Sequence, residues 1–382
     1  MSASLPGTLE GLLQPEAYAH PIEGVELVTT HISWVLLAGQ FAYKIKRPVR
    51  YPFVDLTSLE RRRFLCEEEL RLNRRFAPSL YIDICQVASV NGASRILARD
   101  AAGAMSSGSQ EAPILDYAVR MHRFPQAEEL DRLLDARRVE PHELERLGYR
   151  LAQMHARLPA APATSSWGSP EAVRNQLVCN LFECADAAAV FGWSREILAL
   201  HDTLQGRLAA AAPTMAARRA NGRVRECHGD LHCRNVVRIG GSLVPFDCLE
   251  YEPALRWIDT ADEIAFLSSD LEARGWPLHA HAFRGSYLAE SGDYHACRVL
   301  TLYKAHRALV RAKIAALSAA QNGDAGTRDV LRQEHLRLVR FAAAALAPKT
   351  PRLLLMSGLS GSGKTWLARQ IAERLSAVHI RS

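Results

Sequence analysis

No run of apolar residues in this sequence is long enough to cross a bilayer. The alanine-rich stretches at 208–217 and 342–347 are too short, or are interrupted by proline and arginine. No Cys-x-x-Cys pair occurs among the eight cysteines, and none has a histidine at metal-ligand spacing. That excludes the common zinc and redox motifs, leaves His279-x-His281 as incidental, and points to a reducing, cytoplasmic setting. The N-terminus, Met1-Ser2-Ala3-Ser4-Leu5-Pro6-Gly7, has no basic segment followed by an apolar core, so no secretory signal is visible. Blocks of one charge are missing as well. Lysine and arginine exceed aspartate and glutamate by 47 to 41, but they are spread along the chain, with Arg61-Arg62-Arg63 and Arg74-Arg75 bracketing one helix. This balance reads as a solvated basic face, with nucleic-acid binding a weaker second reading; it suits an anionic small ligand, and no nucleic-acid partner is expected.

What is present is an ordinary globular composition, 48% hydrophobic over 382 residues, enough for two or three domains. The most informative stretch is 226–250. In Glu226-Cys227-His228-Gly229-Asp230-Leu231-His232-Cys233-Arg234-Asn235, a carboxylate is followed five residues later by a carboxamide. Two apolar runs around Gly240-Gly241-Ser242 then read as a hairpin, and Asp247 stands where the returning strand ends. A loop and hairpin of this kind are expected to carry Asp230, Asn235 and Asp247 to one end of a small sheet. The set suits phosphoryl transfer: Asp230 orients and deprotonates a hydroxyl, while Asn235 and Asp247 hold Mg²⁺ on nucleotide phosphates.

His228-Gly229-Asp230-Leu231-His232-x-x-Asn235 resembles the catalytic loop of aminoglycoside phosphotransferases and related small-molecule kinases of the protein-kinase-like fold. Asp247-Cys248-Leu249-Glu250 stands where protein kinases carry Asp-Phe-Gly. The resemblance implies an α+β fold of two lobes, a small β-rich lobe over 1–122 and a helical catalytic lobe over 123–346. It also implies further site residues. Ala42-Tyr43-Lys44 overlays the third-strand Ala-x-Lys, whose lysine grips phosphate, with Lys46 as competitor on the same face. Glu69, in a helix over 57–76 capped by Thr57 or Ser58, is the expected partner of that lysine, and Glu68 is the alternative. No Gly-x-Gly-x-x-Gly loop precedes Lys44. Thr30-His31-Ile32-Ser33 occupies the position, with backbone groups and the Ser33 hydroxyl as phosphate donors. Met121-His122-Arg123-Phe124-Pro125 resembles the inter-lobe hinge, where the backbone at Met121 would meet adenine. Asp262 is expected to brace the catalytic loop, with N-capping of the following helix as the competing role.

Elsewhere, Val25–Thr29, a hairpin over 34–46, Tyr81 to Ile96 and Ile114 to His122 read as strands, with a loose Ala/Gly/Ser stretch at 101–109. Residues 165–220 read as broken helices on the acceptor side. A second phosphate motif lies beyond Pro348. Arg352-Leu353-Leu354-Leu355-Met356 reads as a buried strand, and Gly358-Leu359-Ser360-Gly361-Ser362-Gly363-Lys364-Thr365 is a complete Gly-x-x-x-x-Gly-Lys-Thr phosphate loop opening a helix. In such a loop Gly358 and Gly363 let the backbone wrap phosphate, Lys364 reaches its oxygens and Thr365 ligates Mg²⁺. An incipient strand at 377–380 follows. Residues 347–382 are thus expected to be the truncated start of a P-loop nucleotide-kinase-like domain. The sequence therefore predicts an ATP- and Mg²⁺-dependent kinase acting on a hydroxyl of a small acceptor, with no membrane partner and an oligomeric state left open. A non-catalytic ATP-binding regulatory module is the alternative.

Overall fold

The structure, a computed structural model, describes residues 5–51, 54–97, 112–321, 323–348, 350, 352–375 and 377–380. The Ala/Gly/Ser stretch at 101–109 lies outside them. The chain divides into two compact units, one formed by residues 1–129 with 244–253, the other by 130–243 with 254–382.

The first unit is built on strands β1 (Val25–Thr29), β2 (Ser33–Ala38), β3 (Phe41–Lys46), the short pair β4 (Arg50–Tyr51) and β5 (Val54–Asp55), helix α1 (Leu59–Asn73), and strands β6 (Tyr81–Val90), β7 (Ala93–Leu97) and β8 (Ile114–His122). Six of the strands form one antiparallel sheet in the order β1-β2-β3-β8-β6-β7. Alternation along β2 and β3 sends Leu36, Tyr43 and Ile45 into a core with Leu12, Cys85, Val87 and Ala118. The turn between β2 and β3 is two residues long and uses Gly39 at φ 59, a backbone that matches strand twist. The segment 81–96, read from the sequence without a break, is two strands. Asn91 at φ 51 and Gly92 at φ 79 reverse the chain between them, because both residue types accept left-handed backbone. Helix α1 begins at Ser58, whose hydroxyl accepts from the Arg61 amide at 3.2 Å. It buries Leu65, Cys66, Glu69 and Leu72.

The second unit is mainly helical. Its elements are α2 (Leu130–Asp135), α3 (Pro141–Arg157), α4 (Pro170–Ala187), α5 (Ser194–Leu198), α6 (His201–Ala220), β9 (Val224–Glu226), the ribbon of β10 (Val236–Ile239) and β11 (Ser242–Pro245), α7 (Pro253–Arg256), β12 (Trp257–Asp259), and α8 (Thr260–Ala273). Helices α9 (Pro277–Ser291), α10 (Cys297–Gln321), α11 (Ala325–Leu346) and α12 (Lys364–Leu375) complete it. The chain crosses between units within β11 and at the start of α7. Helices α3 and α9 pack so closely that a Cβ at Gly148 would lie 2.2 Å from the Phe283 carbonyl oxygen. Helix α8 is buried all round apart from Glu272, so its carboxylates need partners inside the protein. Among the described residues no helix is long and apolar enough to cross a membrane.

The expected strands at 352–356 and 377–380 are not formed. Leu353 and Leu355 are 79% and 83% exposed, where a buried strand was expected. A strand needs a neighbour to take its backbone hydrogen bonds and cover its side chains, and no described strand pairs with either segment. Of the expected α/β unit, only the loop and α12 take the anticipated form.

Candidate active site

In the first unit, residues from one strand, one helix and the segment after β11 form an alternating chain of charges. On β3, Lys44 and Lys46 lie two residues apart and so share a face. Lys44 Nζ is 2.8 Å from Glu69 Oε1 and 2.5 Å from Asp247 Oδ1. Lys46 Nζ is 2.5 Å from Glu69 Oε2 and also bonds Glu250 Oε1. Glu69 therefore pairs with both lysines, one through each oxygen. The alternative carboxylate, Glu68, bonds Arg71 on the outer side of α1. Burial alone pushes the Glu69 carboxyl up, but the two ammonium groups outweigh it and hold the group below its ordinary range. Glu250 moves the other way: burial, with the charge of Glu69 added, outweighs Lys46 and Lys44 and raises it. Lys44 is depressed by burial, yet Asp247, Glu69 and Glu250 raise it overall and keep it charged.

Asp247 sits at φ 63, a left-handed conformation that aspartate and asparagine tolerate better than other side chains. The strain is held by its neighbours: the Asp247 amide donates to Tyr81 Oη at 3.1 Å and the Cys248 amide to Asn73 Oδ1 at 2.9 Å. Its side chain is 41% exposed, far more than those of Glu69 or Glu250, so it alone of the three carboxylates is open to a ligand.

Two other predicted residues of this unit are placed less openly. Ser33 is fully buried, its backbone closing a turn with Thr30 and its hydroxyl enclosed, so it is not presented to phosphate. Met121 is buried in the β8 ladder opposite Ala42 and Tyr81. Past it, the His122 and Arg123 amides donate to Leu80 and Gln40 carbonyls. Those two donors are already used.

In the second unit, Asp230 and Asn235 close a compact loop. Asn235 Nδ2 donates to the Asp230 carbonyl at 2.9 Å and to Asp230 Oδ2 at 3.0 Å. This commits the nitrogen of the carboxamide and leaves its oxygen as the acceptor for a cation. The Asp230 side chain is 38% exposed. Burial raises its carboxyl, but His232, at 3.5 Å, together with Arg311 and His228, outweighs burial and holds it well below the usual carboxylate range. Asp230 is therefore ionised at neutral pH. Gly229, at φ 85, is required here, since a Cβ would meet the Leu255 carbonyl oxygen at 2.9 Å.

The loop is braced by two carboxylates that the sequence reading did not single out. Glu263 accepts from the His228 amide at 2.6 Å and the Gly229 amide at 3.0 Å. Asp270 accepts from the Cys233 amide at 2.9 Å. Both belong to α8, seven residues apart, which puts them on one face two turns apart. Asp262, the expected brace, acts one step back: it makes a two-point pair with Arg307, both contacts at 2.8 Å, and Arg307 donates to the Gly229 carbonyl. The capping role belongs to Asp259, which accepts from the Ala261 amide. The signal available in the sequence was the acidic content of a helix apolar on every side.

Burial raises the Glu263 carboxyl to about 7 against the opposing pull of its two amide donors. The unfolded chain ionises this group near its ordinary value, so the protonated form is favoured by folding. The stabilising contribution is fully present below about pH 4.5 and is lost as pH rises toward 7, on the order of 3 kcal/mol in total. We expect Glu263→Gln to flatten that part of the stability profile. Denaturant unfolding of both proteins between pH 4.5 and 7.5 checks it, and parallel profiles would show that Glu263 does not titrate in this window.

The phosphate loop of the second motif is present as a separate feature. Gly361 and Gly363 take φ 78 and 79, and Thr365 is exposed in the first turn of α12. The Lys364 ammonium folds back on its own loop, donating to the Gly358 carbonyl at 2.6 Å and the Leu359 carbonyl at 2.5 Å.

Comparison with protein-family models finds no match. An uncharacterised protein of Mycobacterium tuberculosis is 29% identical over 362 residues, 94% of this chain and 68% of that protein. Among solved structures, choline kinase from Cryptosporidium parvum is similar over 88% of this chain and 93% of its own, at 8% identity and TM-score 0.48. The GDP complex of aminoglycoside 2'-phosphotransferase-IIIa is similar over 85% of this chain and 94% of its own, at 12% identity and TM-score 0.42.

Proposed function

We propose that this protein is an ATP- and Mg²⁺-dependent phosphotransferase that phosphorylates a hydroxyl of a small-molecule acceptor. The observation that carries the reading is Asp230: a half-buried, ionised carboxylate fixed by Asn235 on a loop clamped by Glu263 and Asp270. Such a group orients a hydroxyl and takes its proton as the oxygen attacks the terminal phosphorus and the nucleoside diphosphate leaves. In this reading Lys44, held by Glu69, grips nucleotide phosphate. Asp247 and the Asn235 side-chain oxygen fit Mg²⁺, being oxygen donors of which the first is solvent-accessible. The ion would neutralise the phosphate charge when bound.

The test is an acceptor screen on the purified protein with ATP and Mg²⁺, following ADP release beside an Asp230→Ala control. Release that depends on both an added hydroxylated compound and Asp230 supports the proposal. Release that is unchanged in Asp230→Ala overturns it. The second phosphate motif has no part in this chemistry, because its lysine is tied to its own loop and the expected strands beside it are not formed. Lys364→Ala is accordingly expected to leave acceptor phosphorylation within about two-fold of the parent, as for surface substitutions away from a site. Loss of activity in Lys364→Ala together with its retention in Asp230→Ala would transfer the reaction to the phosphate loop.

A further inference from the structure

The second unit contains a cavity of about 380 Å³ that takes no part in the proposed reaction. It is lined by the end of α3, by β9 and the residue before it, and by the end of α9. Three arginines face it, Arg157, Arg223 and Arg225, against a single carboxylate, Glu290, which accepts from Gln153. The charges of the three are poorly neutralised. Arg225 uses Nη1 on the Ala156 and Leu158 carbonyls, which carry no net charge. Arg223 reaches only 3.8 Å from Asp293, whose two oxygens are already held by Arg218 at 2.8 Å. Arg157 has no acidic partner among the described residues and is exposed. Three guanidinium groups lining one cavity leave it with an excess of positive charge, and guanidinium forks match the oxygens of phosphate.

We propose that this cavity binds a small phosphate-bearing molecule, orthophosphate or a phosphomonoester, as a site separate from the phosphotransfer residues. Its inner wall includes His155 and Tyr287, hydrogen-bonded at 2.8 Å. The other ring nitrogen of His155 lies 4.0 Å from the Glu263 carboxylate that clamps the catalytic loop. A bound phosphate is thus one side chain removed from the brace of Asp230, and its occupancy has a short physical route to the loop.

Calorimetric titration of the full chain with inorganic phosphate, and separately with glycerol 3-phosphate, tests the site, with sodium chloride used to hold ionic strength constant. Saturable binding of one equivalent is expected for at least one of the two probes. Arg157→Gln and Arg223→Gln are each expected to weaken it roughly 10-fold, the loss of one charge-assisted hydrogen bond. Arg157→Lys, which keeps the charge, should weaken it less, and Lys44→Met should leave it unchanged. Thermal unfolding without phosphate shows that each variant is folded; Arg157, being exposed, is the variant on which the test rests. Absence of saturation with both probes, affinity unaltered in Arg157→Gln, or affinity lost in Lys44→Met would each overturn the proposal, the last by placing the phosphate in the first unit.

Discussion

Replacing Asp230 by asparagine is expected to lower turnover of a cognate acceptor by about 10²–10⁴, the usual effect of removing a general base. Nucleotide affinity should stay within a few-fold. The substitution is close to isosteric, so the loop keeps its backbone anchors at Glu263 and Asp270. What changes is the chemistry of one atom. Oδ2 of Asp230 now accepts from Asn235 and faces His232, and both contacts favour a negative charge there. An amide at that position neither takes a proton nor holds the charge. Because His232, Arg311 and His228 keep the carboxyl ionised far into acid, this residue imposes no loss of activity on lowering pH through the ordinary carboxylate range. Initial rates at saturating acceptor, with nucleotide binding measured separately, decide the matter. Unchanged turnover would remove Asp230 from the reaction.

The parts of this site that are legible in the sequence are those fixed by local spacing. His228 to Asn235 is a short loop, so its residue types predict its closure, and Asn235 does bond Asp230. The alternation of β3 likewise puts Lys44 and Lys46 on one face, and the 3.6-residue period turns Glu69 inward with Leu65 and Leu72. Local spacing does not tell which lysine meets Glu69, since that depends on how α1 lies against the sheet; the answer is both. Nor does it reveal Glu250, Glu263 or Asp270, whose partners stand 204, 35 and 37 residues away. Burial of a charged helix face was the readable hint, and its reading stopped at Asp262. The Asn91-Gly92 reversal was readable in full, being a strong two-residue hairpin signal inside an otherwise continuous apolar segment. At 352–356 the apolar run suggested a strand, but apolar content supplies only a tendency, and pairing supplies the strand.

Asp247→Asn is expected to abolish the tightening of ATP binding by Mg²⁺ and to reduce turnover by at least about 10²-fold, in line with the loss of a preorganised charge at a phosphoryl-transfer centre. The left-handed backbone at φ 63 makes asparagine the informative replacement. It accepts that conformation nearly as readily as aspartate, whereas alanine would add strain of roughly 1–2 kcal/mol and confuse loss of charge with distortion. The amides of Asp247 and Cys248 remain bonded to Tyr81 and Asn73, so the segment keeps its course. Two consequences then separate. Lys44 loses one of its two carboxylate partners but retains Glu69 at 2.8 Å, so ATP binding without Mg²⁺ should be preserved or slightly strengthened as the ammonium is released toward phosphate. Binding in the presence of Mg²⁺ should fall to that same level, because an amide oxygen carries none of the charge that draws the ion from water. Titrating ATP against the parent and the variant at zero and millimolar Mg²⁺ gives four affinities. Collapse of the two variant values onto one another is the expected result. A Mg²⁺ dependence equal to the parent's would show that the ion is held without Asp247, and the metal assignment would have to be withdrawn while that of Asp230 stood.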